Sequence, residues 1–301
     1  MDHLDLLIFL AVAAELSITR AARHLGRVPS NVSTRVQQLE RELGVALFRR
    51  DGKRLSLTDA GVCFRGYALR MTALTDELRQ QLHPEGPTGS FRLGSMESTA
   101  ASRLPEPLAR FHQAWPQVRL SVRTGPSGPL LDAVRDNLLD AALVALPPSS
   151  ERQARALLAA QGLMGQAVFK EDLLLLLPPG HGPVRRAADV AVPSLAAFDA
   201  GCTYRAILED WLEGAPARPL IQVVGSYHAM LACVASGAAA CLMPRSVLDL
   251  LKPPPGLVAH AMGEVRTWLV WRIASDTPAC QAWRQLLAPV TPIKGARGSR
   301  R

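Results

Sequence analysis

Apolar residues at Leu6, Leu7, Leu10, Ala13 and Ala14 recur at the spacing of one helical face and predict a first helix over 4–14. Ser17 is placed to cap a short second helix, 18–25, which Gly26 ends. Val28-Pro29 opens a third, with Val32, Val36, Leu39 and Leu43 on one face, running to Gly44. Three helices, two of them joined by a very short turn, make a helix-turn-helix pattern. Two short extended segments then flank the turn Asp51-Gly52 and predict a hairpin beside the third helix, a wing. Thr58 caps a long helix, 59–82, whose broad apolar stripe includes Phe64, Tyr67, Met71, Leu74 and Leu78. A helix this long on a small head needs a partner helix to bury that stripe. The breaker cluster at 83–89 marks a boundary. Beyond it strands at 90–95, 118–124, 141–146, 173–177, 220–224 and 239–243 alternate with helices at 98–115, 129–137, 206–212 and 227–236. This alternation predicts an α/β architecture with mostly parallel sheets.

Composition narrows the class. With 301 residues, 48% hydrophobic and 20% charged, the chain is globular and long enough for two or three domains. The longest nearly apolar stretch, 229–243, is broken by Ser236 and Gly237 and falls short of the roughly 18 residues a membrane span needs. The start of the chain shows no secretion signal, so the expectation is a cytoplasmic protein with no membrane partner. Five cysteines at wide spacings, with no Cys-x-x-Cys pair, argue against a disulfide framework and a zinc site.

The net charge of +8 is unevenly spread. Residues 84–293 are nearly neutral at +1, while 20–54 carry nine basic residues against three acidic ones. Such a run suits a phosphate-backbone binder, and it equally suits a solvated helix face. The basic tail, 294–301, is small and polar, reads as a disordered end and is assigned no specific role. On the third helix Pro29, Ser30, Asn31, Ser33, Thr34 and Arg35 sit early and largely off the apolar stripe, where polar side chains reach major-groove base edges. Ser17 and Thr19 join this candidate DNA-facing set, with Arg49, Arg50, Lys53 and Arg54 of the wing on backbone or minor groove.

Residues 4–61 resemble the LysR-type transcriptional regulators. The resemblance rests on Ala21-Ala22, on Pro29-Ser30-Asn31-Val32-Ser33, on Leu39-Glu40-x-x-Leu43-Gly44-x-x-Leu47-Phe48-x-Arg50 and on Leu57-Thr58-x-x-Gly61. It continues through Leu93-Gly94, Leu104-Pro105, Phe111-x-x-x-Trp115-Pro116, Asp140-Ala-Ala, Pro178-Pro-Gly-His181-Gly-Pro183 and Ala235-x-Gly237 leading to Leu242-Met243-Pro244. It implies a winged helix-turn-helix over 1–58, a dimerising linker helix over 59–82 and a hinge over 83–89. Next comes a two-lobed, periplasmic-binding-protein-like effector domain over 90–290, with lobe I about 90–165 and 266–290, lobe II about 166–265, and a tail at 291–301. The chain is expected to cross between lobes near 163–171 and 263–268. The resemblance further implies a dimer of dimers acting on double-stranded promoter DNA, controlled by a small-molecule effector, with RNA polymerase as a further partner. Many members open the recognition helix with glutamine and serine; Val28-Pro29 stand there in this chain, so base preference does not transfer. A narrower likeness, carried by Glu97-Ser98-Thr99, Thr124-Gly-Pro-Ser127-Gly128, Cys202-Thr-Tyr204-Arg205 and Ser226-Tyr227-His228, is to regulators of putrescine and succinate-semialdehyde use.

The binding physics of those four segments stands without the family. Glu97, Ser98 and Thr99, and likewise Ser127 and Gly128, close a strand and open a helix, where backbone N–H groups favour carboxylate or phosphate. Ser226, Tyr227 and His228 open another helix, and Cys202, Thr203, Tyr204 and Arg205 form a polar loop before the helix at 206–212. All four are expected at one cleft. Arg205 suits an acid and Glu97 an ammonium, so a small carboxylate, an amino acid or a polyamine-related metabolite fits. Ser98 and Ser127 serve equally as plain helix caps, Cys202 as a packed residue and His228 as a structural hydrogen-bonder.

An enzyme is not expected. The chain has no Gly-x-Ser-x-Gly, Walker or Gly-x-Gly-x-x-Gly pattern, and His24, His181, His228 and His260 lack metal-ligand spacing, so no cofactor is expected either. Two rivals stay open. A solute-binding protein with a basic head would have no DNA role, and an effector-independent architectural DNA binder would give a sequence-indifferent footprint and no thermal shift with any metabolite.

Overall fold

The computed structural model describes residues 1–52, 54–82, 86–147, 149–215, 219–274 and 277–288. They form two compact units, one ending at the long helix and one beginning at Gly86.

In the first unit α1 (His3–Glu15), α2 (Ile18–His24) and α3 (Pro29–Leu43) precede the antiparallel hairpin β1 (Phe48–Asp51) and β2 (Arg54–Leu57) and the helix α4 (Asp59–Leu82). Asp2 and Asp5 close a capping box at α1, and Ser17 caps α2. Phe9 is the centre of the core, edge-on to Phe64 at 4.8 Å and tilted against Phe48 at 5.3 Å. A second cluster, Ile8, Val12, Ala21, Ala22, Val32 and Val36, packs α1 on α2 and α3, which is why the small pair Ala21-Ala22 occupies α2.

The motif residues between α3 and α4 are structural. Glu40 Oε1 accepts from the backbone N–H groups of Leu47 and Phe48 at 2.7 and 3.0 Å, tying the end of α3 to the wing. Thr58 Oγ1 accepts from Gly61 N at 2.9 Å and donates to Ala46 O at 2.7 Å. A Cβ on Gly61 would stand 2.0 Å from Leu47 O, so only glycine lets α4 approach the strand this closely.

The second unit holds β3 (Gly89–Ser95), α5 (Glu97–Ser102), α6 (Pro105–Ala114), β4 (Val118–Thr124), α7 (Ser127–Arg135), β5 (Ala141–Ala145), α8 (Glu151–Ala159) and β6 (Leu163–Leu177). It continues with β7 (Ser194–Ala197), α9 (Thr203–Trp211), β8 (Leu220–Val223), α10 (Tyr227–Ala235), β9 (Ala239–Pro244), α11 (Arg245–Leu251), β10 (Val258–Arg272) and α12 (Pro278–Leu287). The strand order is β4-β3-β5-β10-β6-β9-β7-β8. Parallel ladders at each end, β4-β3-β5 and β9-β7-β8, are joined by the antiparallel pair β6 and β10. The pair passes from one lobe to the other: β10 borders β5 from Thr267 to Trp271, and β6 borders β9 from Leu173 to Leu176.

Three sequence expectations change. The helix expected over 98–115 is two, α5 and α6, because Pro105 has no N–H to continue the first and instead opens the second. The two crossings run within 15-residue strands, of which only 173–177 was expected as strand, and the register of the pair shifts between Ala261 and Gly263 and between Thr267 and Trp268. Thr203, Tyr204 and Arg205 lie in the first turn of α9 rather than in a loop.

Each lobe has its own core. Phe91, Phe111 and Trp283 pack together in one, with Phe111 edge-on to Trp283 at 5.2 Å. Leu175, Leu195, Leu208 and Leu242 fill the other. Gly94 ends β3 where a Cβ would meet Leu139 at 2.6 Å and Leu130 at 2.8 Å. Asp140 accepts from Arg92 N at 2.6 Å and pairs with the Arg92 guanidinium, pinning β3 to the start of β5.

Candidate functional site

The first unit presents one polar helix edge. On α3 Pro29, Ser30, Asn31 and Thr34 are exposed and Ser33 is half-buried, while Val32, Val36 and Leu39 are buried beneath them. Val28 precedes α3 in extended conformation and supplies no side-chain cap; its carbonyl accepts from Asn31 N at 3.1 Å and Val32 N at 3.3 Å, and Pro29 brings no N–H of its own. Thr19 is exposed on α2; Ser17 is occupied as its cap, accepting from Arg20 N at 3.3 Å. In the wing Arg50 and Arg54 are exposed, and Arg49 Nε donates to Ser56 Oγ at 3.1 Å. Lys53 lies outside the described residues.

Arg35 departs from the expectation. Its guanidinium turns back to the start of α1 and pairs with Asp5 at 2.9 Å and Asp2 at 3.2 Å. Asp2 and Asp5 together hold the Arg35 cation above its ordinary value. Arg35 is therefore a strap between α1 and α3, not a side chain held out toward a groove.

In the second unit a cavity of about 320 Å³ opens between the lobes, at the lower end of small-molecule pockets. Its walls come from the carboxyl ends of parallel strands and the amino ends of the helices that follow: Glu97 and Ser98, Ser127, Cys202 and Tyr204, and Tyr227. Of the other expected residues, Gly128 and Thr203 instead join the lobes. Gly128 N donates to Gly201 O at 3.3 Å, and Thr203 Oγ1 donates to Ala145 O at 2.9 Å. Thr99 is buried behind the wall, Ser226 caps α10 by accepting from Ala229 N, and His228 is exposed; none of the three lines the cavity. Arg205 is engaged elsewhere, its Nε on Glu209 at 3.0 Å and its Nη1 donating to Phe198 O at 3.3 Å. It lines an adjacent depression with Gly128 and Thr203.

The wall holds polar groups without partners. Ser98 and Tyr204, and Thr99 behind them, are 2%, 4% and 0% exposed, and none of their side-chain oxygens completes a hydrogen bond. Ser98 Oγ stands near the hydroxyls of Tyr204 and Tyr227 and lowers both, against the larger rise that burial imposes on each. Burial also pushes the Cys202 thiol up, keeping it protonated, as a packed residue would be rather than a reactive thiolate. Among the described residues no cluster of His, Cys, Asp or Glu is arranged to hold a metal.

Among the lining residues that the sequence did not single out are Phe198 and Asp199. They follow β7, a four-residue strand too short to stand out; the signal was the small apolar run before Asp199 and the Gly201 turn. Phe198 stands edge-on to Tyr227 at 4.9 Å.

Comparison with known proteins finds two family descriptions along the chain. Residues 4–62 match "Bacterial regulatory helix-turn-helix protein, lysR family", and residues 84–291 match "LysR substrate binding domain". The HTH-type transcriptional regulator YusT of Bacillus subtilis is 31% identical over 306 residues, covering 100% of this chain and 99% of its own. The HTH-type transcriptional regulator GltR of the same organism is 31% identical over 85% of this chain and 84% of its own. Among solved structures, a full-length OxyR variant from Pseudomonas aeruginosa superposes with TM-score 0.67 at 21% identity, covering 95% of this chain and 93% of its own. Full-length CbnR complexed with its target DNA gives TM-score 0.66 at 21% identity, covering 95% and 99%.

Proposed function

Because the chain belongs to the LysR family of bacterial transcriptional regulators, we propose that α3 reads promoter DNA and that a small molecule held in the interlobe cavity controls it. The observation that carries the effector half is the pair of buried, unpartnered hydroxyls, Ser98 Oγ and Tyr204 Oη, in a small-molecule-sized cavity between two lobes. A buried hydroxyl without a partner costs stability, and a polar ligand repays it. The DNA half rests on the exposed edge of α3. Ser30, Asn31 and Thr34 take the base edges, Arg50 and Arg54 the backbone, and RNA polymerase is met at the promoter, in the cytoplasm.

The proposed switch is a change of lobe closure. Ligand favours one arrangement of the lobes over another and so changes how paired copies present their recognition helices. Gly128–Gly201 and Thr203–Ala145 are the contacts that a closed cleft makes and an open one loses.

Binding isotherms across salt concentrations separate the two kinds of DNA contact. Asn31→Ala weakens binding to the chain's own upstream site by about 1–3 kcal/mol and leaves unrelated DNA untouched. Arg54→Ala weakens all sequences and reduces the salt slope by about one. Equal losses for both variants on all DNA would remove α3 as the reading element.

A further inference from the structure

We infer that the interlobe cavity takes an organic cation, a small amine with an apolar or aromatic body, rather than a carboxylate; this deepens the effector reading above and rests on it. The charged residues that line the cavity are Glu97 and Asp199, and no Lys, Arg or His stands among the described lining residues. Arg205, in the adjacent depression, is spent on Glu209 and on the Phe198 carbonyl. Behind the wall Tyr204 feels both Glu171 and Arg103, but these pair with each other at 2.7 Å and so offset one another.

The amino ends of the surrounding helices do not reverse this balance. Glu97 occupies the first turn of α5, and Asp199 lies four residues before Thr203, the first residue of α9, so two of the four helix ends at the cavity already have a carboxylate beside them, while α7 and α10 have no acidic residue in their first turns. A carboxylate ligand would bring a third negative charge into a largely apolar cavity with no cationic side chain among its described lining residues to pair it. An ammonium meets the opposite situation. The carboxylates of Glu97 and Asp199 accept charge-assisted hydrogen bonds, the lone pairs of Ser98 Oγ and Tyr204 Oη accept further N–H groups, and the aromatic residues Phe198, Tyr204 and Tyr227 line the same cavity around the apolar body.

The test uses the full chain and matched probes, benzylamine against benzoate and n-butylamine against butyrate, in titration calorimetry and thermal unfolding. The amines bind and raise the melting temperature in proportion to concentration, and the carboxylates do neither. Glu97→Gln and Asp199→Asn, both at exposed positions, each weaken the amine about tenfold, the loss of one charged hydrogen bond. Tyr204→Phe weakens it too, while melting at or above the wild-type temperature without ligand, because it removes a hydroxyl that has no partner. Carboxylates that bind, amines that do not, and a loss in Tyr204→Phe would overturn the cation and keep the cavity. A probe whose affinity is the same in all three variants would overturn the cavity itself. No response to either amine up to tens of millimolar would overturn the proposal.

Discussion

Gly61 shows how little room single positions leave in the helical head. Any side chain there meets the Leu47 carbonyl, so Gly61→Ala is expected to destabilise the head by about 3 kcal/mol and to lower DNA affinity on every sequence, read by thermal unfolding and gel shift together. Arg35 makes the contrary point about polar positions. From the periodicity alone it was one more polar residue off the apolar stripe, and nothing in the spacing says that Asp2 and Asp5, thirty residues earlier, close on it. Arg35→Ala therefore leaves the largely buried Asp5 carboxylate without its cation, lowers the melting temperature of the head and weakens specific and nonspecific DNA binding in parallel. The same corner sets an acid limit. The Asp5 backbone N–H, and next to it Arg35, hold the Asp2 carboxyl below its ordinary 3.8. This stability is fully present above the ordinary value and is lost as pH falls through the lower folded one. Melting curves of the full chain should drop as pH falls below about 4, and Asp2→Asn should flatten that drop.

At the scale of elements, local chemistry was legible and long-range pairing was not. Ser17, Thr58, Gly26 and Gly44 bound their helices because caps act within four residues, and all four do so in the structure. The break at Pro105 was also written locally, but the apolar run through Leu104 and Leu108 masked it. Of the two 15-residue strands, β6 was visible only over 173–177 and β10 not at all. Each is uniformly apolar where it is buried in one lobe and mixed where it passes between lobes. Helix α4 carries the clearest unmet demand, with Tyr67, Met71, Leu74, Leu78 and Leu82 exposed at alternating spacings of four and three residues or four and four. This is the seam of a paired helix, and a second copy of the chain is the proposed partner. Sedimentation of Leu74→Glu should give a smaller assembly than the wild type, with the melting of the second unit unchanged.

In the second unit the chain must change lobes, and the proposed effector control would have to pass through the same crossing. Glu171 lies where β6 passes from one set of neighbours to the other and is 1% exposed. Arg103, just after α5, donates to one of its oxygens at 2.7 Å, and Ser246 of α11 donates to the other at 2.6 Å. Helix α5 begins at the cavity with Glu97 and Ser98, so this buried carboxylate ties the cavity wall to the crossing strand and to the second lobe. Arg103→Ala leaves the charge buried with a single partner and should cost about 2 kcal/mol, less than a fully buried pair because the Arg103 end is partly solvated. The cleft itself was anticipated from strand ends and helix starts, which is a topological rule. Which of the expected side chains enter it depends on rotation about each helix start, and for that reason Arg205 and His228 fell away while Phe198 and Asp199 came in.

The central claim, that the polar edge of α3 reads sequence, is tested most directly by selecting binding sites from random double-stranded DNA with the full chain and with Asn31→Ala. The wild type is expected to enrich a site of two related half-sites and the variant to show an altered or relaxed base preference, with nonspecific affinity unchanged. Enrichment of no sequence, or the same sequence with the same preference from both proteins, would contradict it.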